Sequence, residues 1–177
     1  MIFHETPLAG AFVVELDRKQ DERGFFARAF CVDELREHGV EFEAVQANVS
    51  HSTRKGTLRG MHYQAEPVSE PKFIRCIKGS FWDVIIDMRP GSPTYLRHFG
   101  VELSAENGRA IYVPDRFAHG NLALEDESEL LYLMGGRYVT GHALGVRHDD
   151  PAVGIEWPVP VTVVDAKDRA WPLIDKI

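Results

Sequence analysis

Residues 56–64 read Gly56-Thr57-Leu58-Arg59-Gly60-Met61-His62-Tyr63-Gln64, and Lys72 follows eight positions later. Polar and apolar residues alternate through this stretch, which predicts a strand over Thr57–Gln64. Residues two apart on a strand share a face, so Gly60, His62 and Gln64 are expected to point one way. Leu58, Met61 and Tyr63 do not complete a clean core stripe. An imidazole on the inner face of a strand is costly unless it is partnered. A lone one reads as a satisfied core histidine; here the neighbouring segments supply further polar groups.

Outward from this strand the chain is a series of short apolar or alternating runs. They fall near residues 11–16, 25–30, 44–50, 73–77, 80–87, 96–103, 109–113, 120–124 and 129–138. Turn signals separate them: Lys78-Gly79, Pro90-Gly91-Ser92-Pro93, Glu106-Asn107-Gly108 and Val113-Pro114-Asp115. Many short strands at this spacing predict an all-β sandwich or barrel. A single helix is expected before the C-terminal region, over Asp33–His38, with acids at its start and Gly39 as its C-cap. The tail from Asp149, rich in Pro and Trp, is expected to wrap the sheet in short turns. Trp82–Asp87 reads as core strand, with Asp83 and Asp87 on one face supporting turns or partnering a buried arginine.

Length and composition limit the function. A chain of 177 residues suits one domain, residues 1–177, with a sizeable core. The 27 acidic residues outnumber 20 basic ones, for a formal charge of −7, which argues against nucleic-acid binding. Cys31 and Cys76 are too few for a disulfide framework or a zinc site. No apolar stretch approaches the length of a membrane span. The first 25 residues carry Glu5, Glu15, Asp17 and Asp21 and no apolar run, so no signal peptide is expected and a reducing cytoplasm is the default.

The polar groups come in clusters. Asp21-Glu22-Arg23-Gly24-Phe25-Phe26 sets an arginine in a tight turn before aromatic residues. Gln46, Asn48 and Ser50 share a strand face. Pro114-Asp115-Arg116-Phe117-Ala118-His119-Gly120 places a second histidine just before a strand, Tyr132 and Tyr138 follow, and Ala166-Lys167-Asp168 ends the series.

These runs resemble the dTDP-4-dehydrorhamnose 3,5-epimerase family. The matching segments are DERGFF (21–26), QANVS (46–50), GTLRGMHYQ (56–64), EPKFIRC (70–76), GSFWDVIIDMRPGSPT (79–94), YVPDRFAHG (112–120), the strand with Tyr132, GIEWP (154–158) and AKD (166–168). They occur in family order across nearly the whole chain. The resemblance implies a cupin-type jelly roll with a few short helices, a nucleotide-sugar substrate, no cofactor, no metal and a homodimer. It also implies epimerisation at C3 and/or C5 of a 4-keto sugar through an enolate. A base must reach a C–H made acidic by the ketone, and histidine titrates in the right range. The resemblance gives that role to His62, with Asp168 fixing its tautomer. Lys72 is implied as the enolate's stabiliser and Tyr132 as the acid on the opposite face. It implies Arg23, Gln46, Asn48, Arg59, His119 and Lys167 as substrate contacts, and Tyr138 as the aromatic stacked on the base.

The chain departs from the family pattern in its recognition residues. A glutamate is replaced by Arg28, a second by Ala143, and the loop Gly-Phe-Ala-His-Gly-Phe appears as Arg116-Phe117-Ala118-His119-Gly120-Asn121. A guanine or cytosine nucleotide, or a modified sugar, would fit such changes. Two alternatives stand beside this reading. One is a metal-dependent cupin oxygenase or isomerase using His51, His62 and His119. The other is a sugar-nucleotide ketoisomerase or binding relative without net epimerisation.

Overall fold

A computed structural model of the chain describes residues 1–174. Its strands are β1 (Ile2–Glu5), β2 (Phe12–Glu15), β3 (Lys19–Asp21), β4 (Gly24–Phe26), β5 (Gln46–Ser52), β6 (Thr57–Gln64) and β7 (Lys72–Lys78). There follow β8 (Ser80–Asp87), β9 (His98–Ser104), β10 (Ala110–Val113), β11 (Phe117–Ala123), β12 (Ser128–Met134), β13 (Ala143–Gly145) and β14 (Val163–Val164). Two short helices join them, α1 (Val32–Glu37) and α2 (Ala166–Arg169).

One sheet runs β1-β2-β10-β7-β12-β5, and the facing sheet runs β13-β6-β11-β8-β9, with β14 added parallel to β6. From β5 to β8, and again from β9 to β12, successive strands alternate between the two sheets. β8 and β9 pair antiparallel within one of them. This is the jelly-roll sandwich expected from the sequence. β3 and β4 form a separate ribbon.

Each sheet is also covered over part of its outer face, which explains the nearly continuous apolar runs of β7 and β8. Between the sheets lie Val13, Ile74, Cys76, Ile111 and Leu130 from the first sheet against Phe81, Ile85, Leu103 and Phe117 from the second. Leu35 of α1 packs with Val14, Phe73 and Tyr112 on the first sheet's outer face. Gly39 ends that helix at a φ of +76°, and its N–H bonds Arg36 O. The tail does wrap a sheet: Val153, Ile155 and Trp157 cover Met61, Val84 and Ile86 on the second sheet's outer face. It then returns as β14 and α2.

The predicted boundaries of β6 and β8 coincide with the observed ones. The strand expected over 25–30 stops at Phe26, and the one expected over 129–138 stops at Met134. In β8, Trp82, Val84 and Ile86 face outward while Phe81, Asp83, Ile85 and Asp87 face the other sheet. Asp87 supports a turn, as expected: its carboxylate accepts from Arg89 Nε and Nη2, Ser92 Oγ and Thr94 Oγ1 at 2.6–2.8 Å. Burial opposes its ionisation, but these donors win and hold the carboxyl well below the usual range.

Asp87→Asn should therefore destabilise the fold at neutral pH by about 1–3 kcal/mol, measured by denaturant unfolding. A depressed native pKa stabilises above the unfolded value, near about 4, and its contribution is lost as pH falls through the lower native value. The gap between wild type and variant should shrink below about pH 4. A constant gap would show that the carboxylate's charge is not what holds the turn.

Candidate active site

The apolar core fills one half of the sandwich. In the other half most inward-facing positions are polar, and with a few apolar side chains such as Leu58 and Met134 they line a cavity of about 930 Å³, a size suited to a small ligand. β5, β7 and β12 contribute Asn48, Ser50, Lys72 and Tyr132 from one side. β6 and β11 contribute Arg59, His62, His119 and Asn121 from the other, and α2 adds Lys167 and Asp168.

Strand β6 is not regular. Opposite β11, His62 pairs with His119 and Arg59 with Asn121, so three steps of β6 match two of β11. The extra residue breaks alternation. Arg59 and His62 therefore both face the cavity, while Met61 joins the outer cluster. This corrects the regular alternation expected for Gly60 and His62. Gly60 sits at a φ of +113°, and a Cβ there would lie 2.6 Å from His119 O and 2.7 Å from Gly120 Cα. The bulge brings the two backbones too close for any side chain.

Asp168 meets the bulge. One carboxylate oxygen lies 2.6 Å from His62 Nε2, and the other accepts from Gly60 N at 3.0 Å. Asp168 is 4% exposed, whereas the His62 side chain is 46% exposed toward the cavity. Asp165 caps α2 by accepting from Lys167 N at 2.8 Å, which fixes the turn that presents Asp168.

A second histidine–aspartate pair lies beside the first. Both Asp83 carboxylate oxygens lie within 3.0 Å of His119 Nε2, and Asp83 is fully buried. Burial raises the Asp83 pKa, and His119 pulls it back down. Asp83 is not the core or turn residue that the sequence suggested. Its signal was an inward-facing carboxylate on a central strand. The His119 ring packs edge-on to Tyr132, with centroids 5.9 Å apart. Burial, and then the Asp83 carboxylate, raise the Tyr132 pKa; its hydrogen bonds and Arg59 oppose this more weakly. Buried Lys72 places Nζ 2.9 Å from Glu70 Oε2, an ion pair that the sequence reading missed.

At the cavity mouth, Gln64 donates to Arg137 O and accepts from Val139 N, clamping the segment that carries Tyr138. Arg59 reaches His51 O at 2.8 Å. Lys167 Nζ lies 5.7 Å from the Trp171 ring centre.

His62, Asp168, Tyr132, Lys72, Asn48, Arg59, His119, Tyr138 and Lys167 thus all line one cavity. Arg23 and Gln46 do not. Arg23 is on the β3–β4 ribbon, 86% exposed and paired with Asp21. Gln46 donates to Asn48 Oδ1 at 2.9 Å, beyond the cavity wall. Arg28 is likewise outside, with its charge taken up by Glu34 at 2.6 Å, whereas Ala143 lines the mouth. His51 occupies the outer face of β5 between Glu127 and Glu129 and does not join His62 and His119. Among the described residues, no group of three or more His, Cys, Asp and Glu side chains is placed to hold a metal ion.

A jelly roll with a His–Asp dyad, a buried lysine and a half-buried phenol around one cavity defines an acid–base enzyme of small-molecule chemistry. The chain matches the sequence model of the dTDP-4-dehydrorhamnose 3,5-epimerase family over residues 5–176 and belongs to that family. It is 44% identical over 165 residues to the dTDP-4-dehydrorhamnose 3,5-epimerase of Shigella flexneri, covering 93% of this chain and 91% of that one. The crystal structure of dTDP-4-dehydrorhamnose 3,5-epimerase from Bacillus anthracis with TDP and PPi bound superposes with a TM-score of 0.94 at 37% identity, covering 98% of this chain and 99% of that one. ChmJ, a 3'-monoepimerase from Streptomyces bikiniensis in complex with dTDP-quinovose, superposes with a TM-score of 0.88 at 32% identity, covering 96% and 86%.

Gly60→Ala should force β6 and β11 apart at a cost of about 1–3 kcal/mol. It should also move His62 off Asp168. A thermal melt should fall, and the His62 ring resonances should shift. A melt and ring resonances unchanged from wild type would show that the bulge tolerates a side chain.

Proposed function

We propose that this protein epimerises a nucleotide-linked 4-keto sugar at C3, C5 or both by proton removal and return through an enolate. The observation that carries this reading is the His62–Asp168 dyad on one sheet facing Tyr132 and Lys72 on the other across one cavity. Asp168 engages Nε2 of His62, which leaves Nδ1 as the basic nitrogen. His62 takes a proton from the carbon next to the ketone, and Asp168 stabilises the imidazolium that forms. Lys72, oriented by its ion pair with Glu70, stabilises charge developing on the ketone oxygen. Tyr132, whose pKa is raised by burial, is protonated at neutral pH and supplies a proton from the other sheet. The ketone itself makes the C–H acidic, so these steps use only groups of this chain.

Arg59 and Lys167 suit the diphosphate, Asn48 and His119 the sugar and its linkage, and Tyr138 the base. Thymidine diphosphate is the first nucleotide to try, since solved relatives hold TDP and dTDP-quinovose. Ala143 leaves the mouth beside Tyr138 without a carboxylate, which keeps other bases in the test. The two free cysteines, Cys31 and Cys76, suit a reducing cytoplasm. No helix among the described residues is long and apolar enough to cross a membrane.

The homodimer belongs to this proposal. On the β3–β4 ribbon Phe26 is 80% exposed beside the exposed Phe25 and Arg23. β5 is an open edge carrying exposed Val49. A second copy would cover both and bring Arg23 to a site. Sedimentation equilibrium should give twice the chain's 20.0 kDa. Monomer alone at micromolar concentration would rule out a partner's Arg23.

Proton NMR in D₂O with dTDP-4-keto-6-deoxyglucose tests the chemistry. Deuterium should enter at C3 and C5; entry at one carbon would make the protein a mono-epimerase. His62→Ala should slow exchange by about 10²–10⁴-fold while nucleotide affinity stays within about threefold. Absence of exchange with dTDP-, GDP- and CDP-linked 4-keto sugars would refute the proposal.

A further inference from the structure

Asn121 departs from the family's loop pattern and lies inside the cavity. It is 1% exposed and sits on the inward face of β11, between Arg59 of β6 and Asp83 of β8 in the sheet register. Its Nδ2 donates to Tyr132 Oη at 2.9 Å. Its Oδ1 has no hydrogen-bonding partner among the described residues. A buried amide oxygen without a donor is unfavourable in a folded protein and calls for an explanation. Because Asn121 lines the cavity, a bound ligand can supply that donor.

We propose that Asn121 is a positioning residue for Tyr132 and that its free carbonyl oxygen receives a hydroxyl group of the bound sugar. This rests on the epimerase reading above. The phenol oxygen accepts from the amide, so its own hydrogen turns away from Asn121 and toward the side of the cavity that Ser50 of β5 also lines, where a carbanion needs it. The same amide fixes the ring of the substrate beside that hydrogen. One side chain therefore orients both the proton donor and the group that receives the proton. The rest of the surroundings agrees: His119 packs against the ring of Tyr132, and Asp83 fixes His119.

Two variants separate the two functions of the amide. Asn121→Leu has similar volume and removes both donor and acceptor. Asn121→Asp keeps an acceptor for the sugar but replaces the donor to Tyr132 with a second acceptor, which captures the phenol hydrogen. Deuterium wash-in and net inversion are followed together by NMR on the 4-keto substrate. At saturating substrate both variants should keep wash-in at the carbon served by His62 within about threefold while net inversion falls by about 10²-fold or more. Affinities for dTDP and for unreactive dTDP-glucose, measured by calorimetry, read the second function. The tighter binding that the sugar confers should fall by about tenfold in Asn121→Leu and persist in Asn121→Asp, with dTDP affinity unchanged in both.

A merely structural role would lower wash-in and inversion together, and that result would overturn the proposal. So would an unchanged ratio of inversion to wash-in in either folded variant, or a sugar contribution that survives Asn121→Leu. A wild-type protein that neither exchanges nor inverts any 4-keto sugar nucleotide would instead refute the epimerase reading, and this inference with it. Circular dichroism establishes folding, and the aspartate variant carries the test if the leucine variant does not fold.

Discussion

The carboxylate of Asp168 joins two parts of the chain that no local preference brings together. It binds the ring of His62 and the backbone N–H of Gly60, 106 and 108 residues away. The orientation of the proposed base depends on this double contact. The contact depends in turn on the last turn of the fold. β14 pairs with β6 through Val163 opposite Thr57 and Val164 opposite Leu58, and α2 begins at once under its Asp165 cap. The C-terminal segment thus completes the site: a chain folded only as far as β13 would present His62 without its partner.

The inside of the sandwich is divided between stability and chemistry. Around Phe81, Ile85, Phe117 and Leu103 it is apolar and supplies the hydrophobic stabilisation. Toward β5, β6 and β13 the inward positions carry Lys72, Asp83, His119, Asn121 and Tyr132. Burying such groups is tolerated because they are partnered: Lys72 by Glu70, His119 by Asp83, Tyr132 by Asn121. Deleting one member leaves the other's charge or dipole exposed to a poorly polarisable interior. Substitutions here therefore act on folding and chemistry at once, and only readouts that separate proton removal from proton return distinguish the two.

Much of this was legible in the sequence, for physical reasons. β6 and β8 are strongly β-forming and bounded by turns, so both were readable to the residue. The cavity-lining residues were legible because nine motif segments fall in family order, not because spacing brings His62 to Asp168. What escaped the reading depends on long-range pairing. The bulge at Gly60 has no local mark beyond a glycine, yet it decides which side chains of β6 share a face. Asp83 looks like a turn-supporting acid until the neighbouring strand β11 supplies His119; the Glu70–Lys72 pair, two residues apart, is the local exception. Arg23 and Gln46 carry the right chemistry in the right motifs, but lie outside the cavity of their own chain. Arg28, which reverses a charge on paper, lies outside the cavity and shares Glu34 with the N-terminal ammonium.

The architecture also bears on stereochemistry. Facing sheets pack about 10 Å apart, room for a sugar ring between two inward side chains. His62 projects from one sheet and Tyr132 from the other, so a ring held between them would meet the proposed base on one face and the proposed acid on the opposite face. In that arrangement a proton removed by His62 and one returned by Tyr132 necessarily invert the carbon. A proton returned by His62 itself would restore the starting configuration and register only as exchange. The ratio of inversion to exchange thus measures how well Tyr132 competes with His62 for the enolate. That competition would turn on where the phenol hydrogen points, which in the proposal above is set by the hydrogen bond from Asn121.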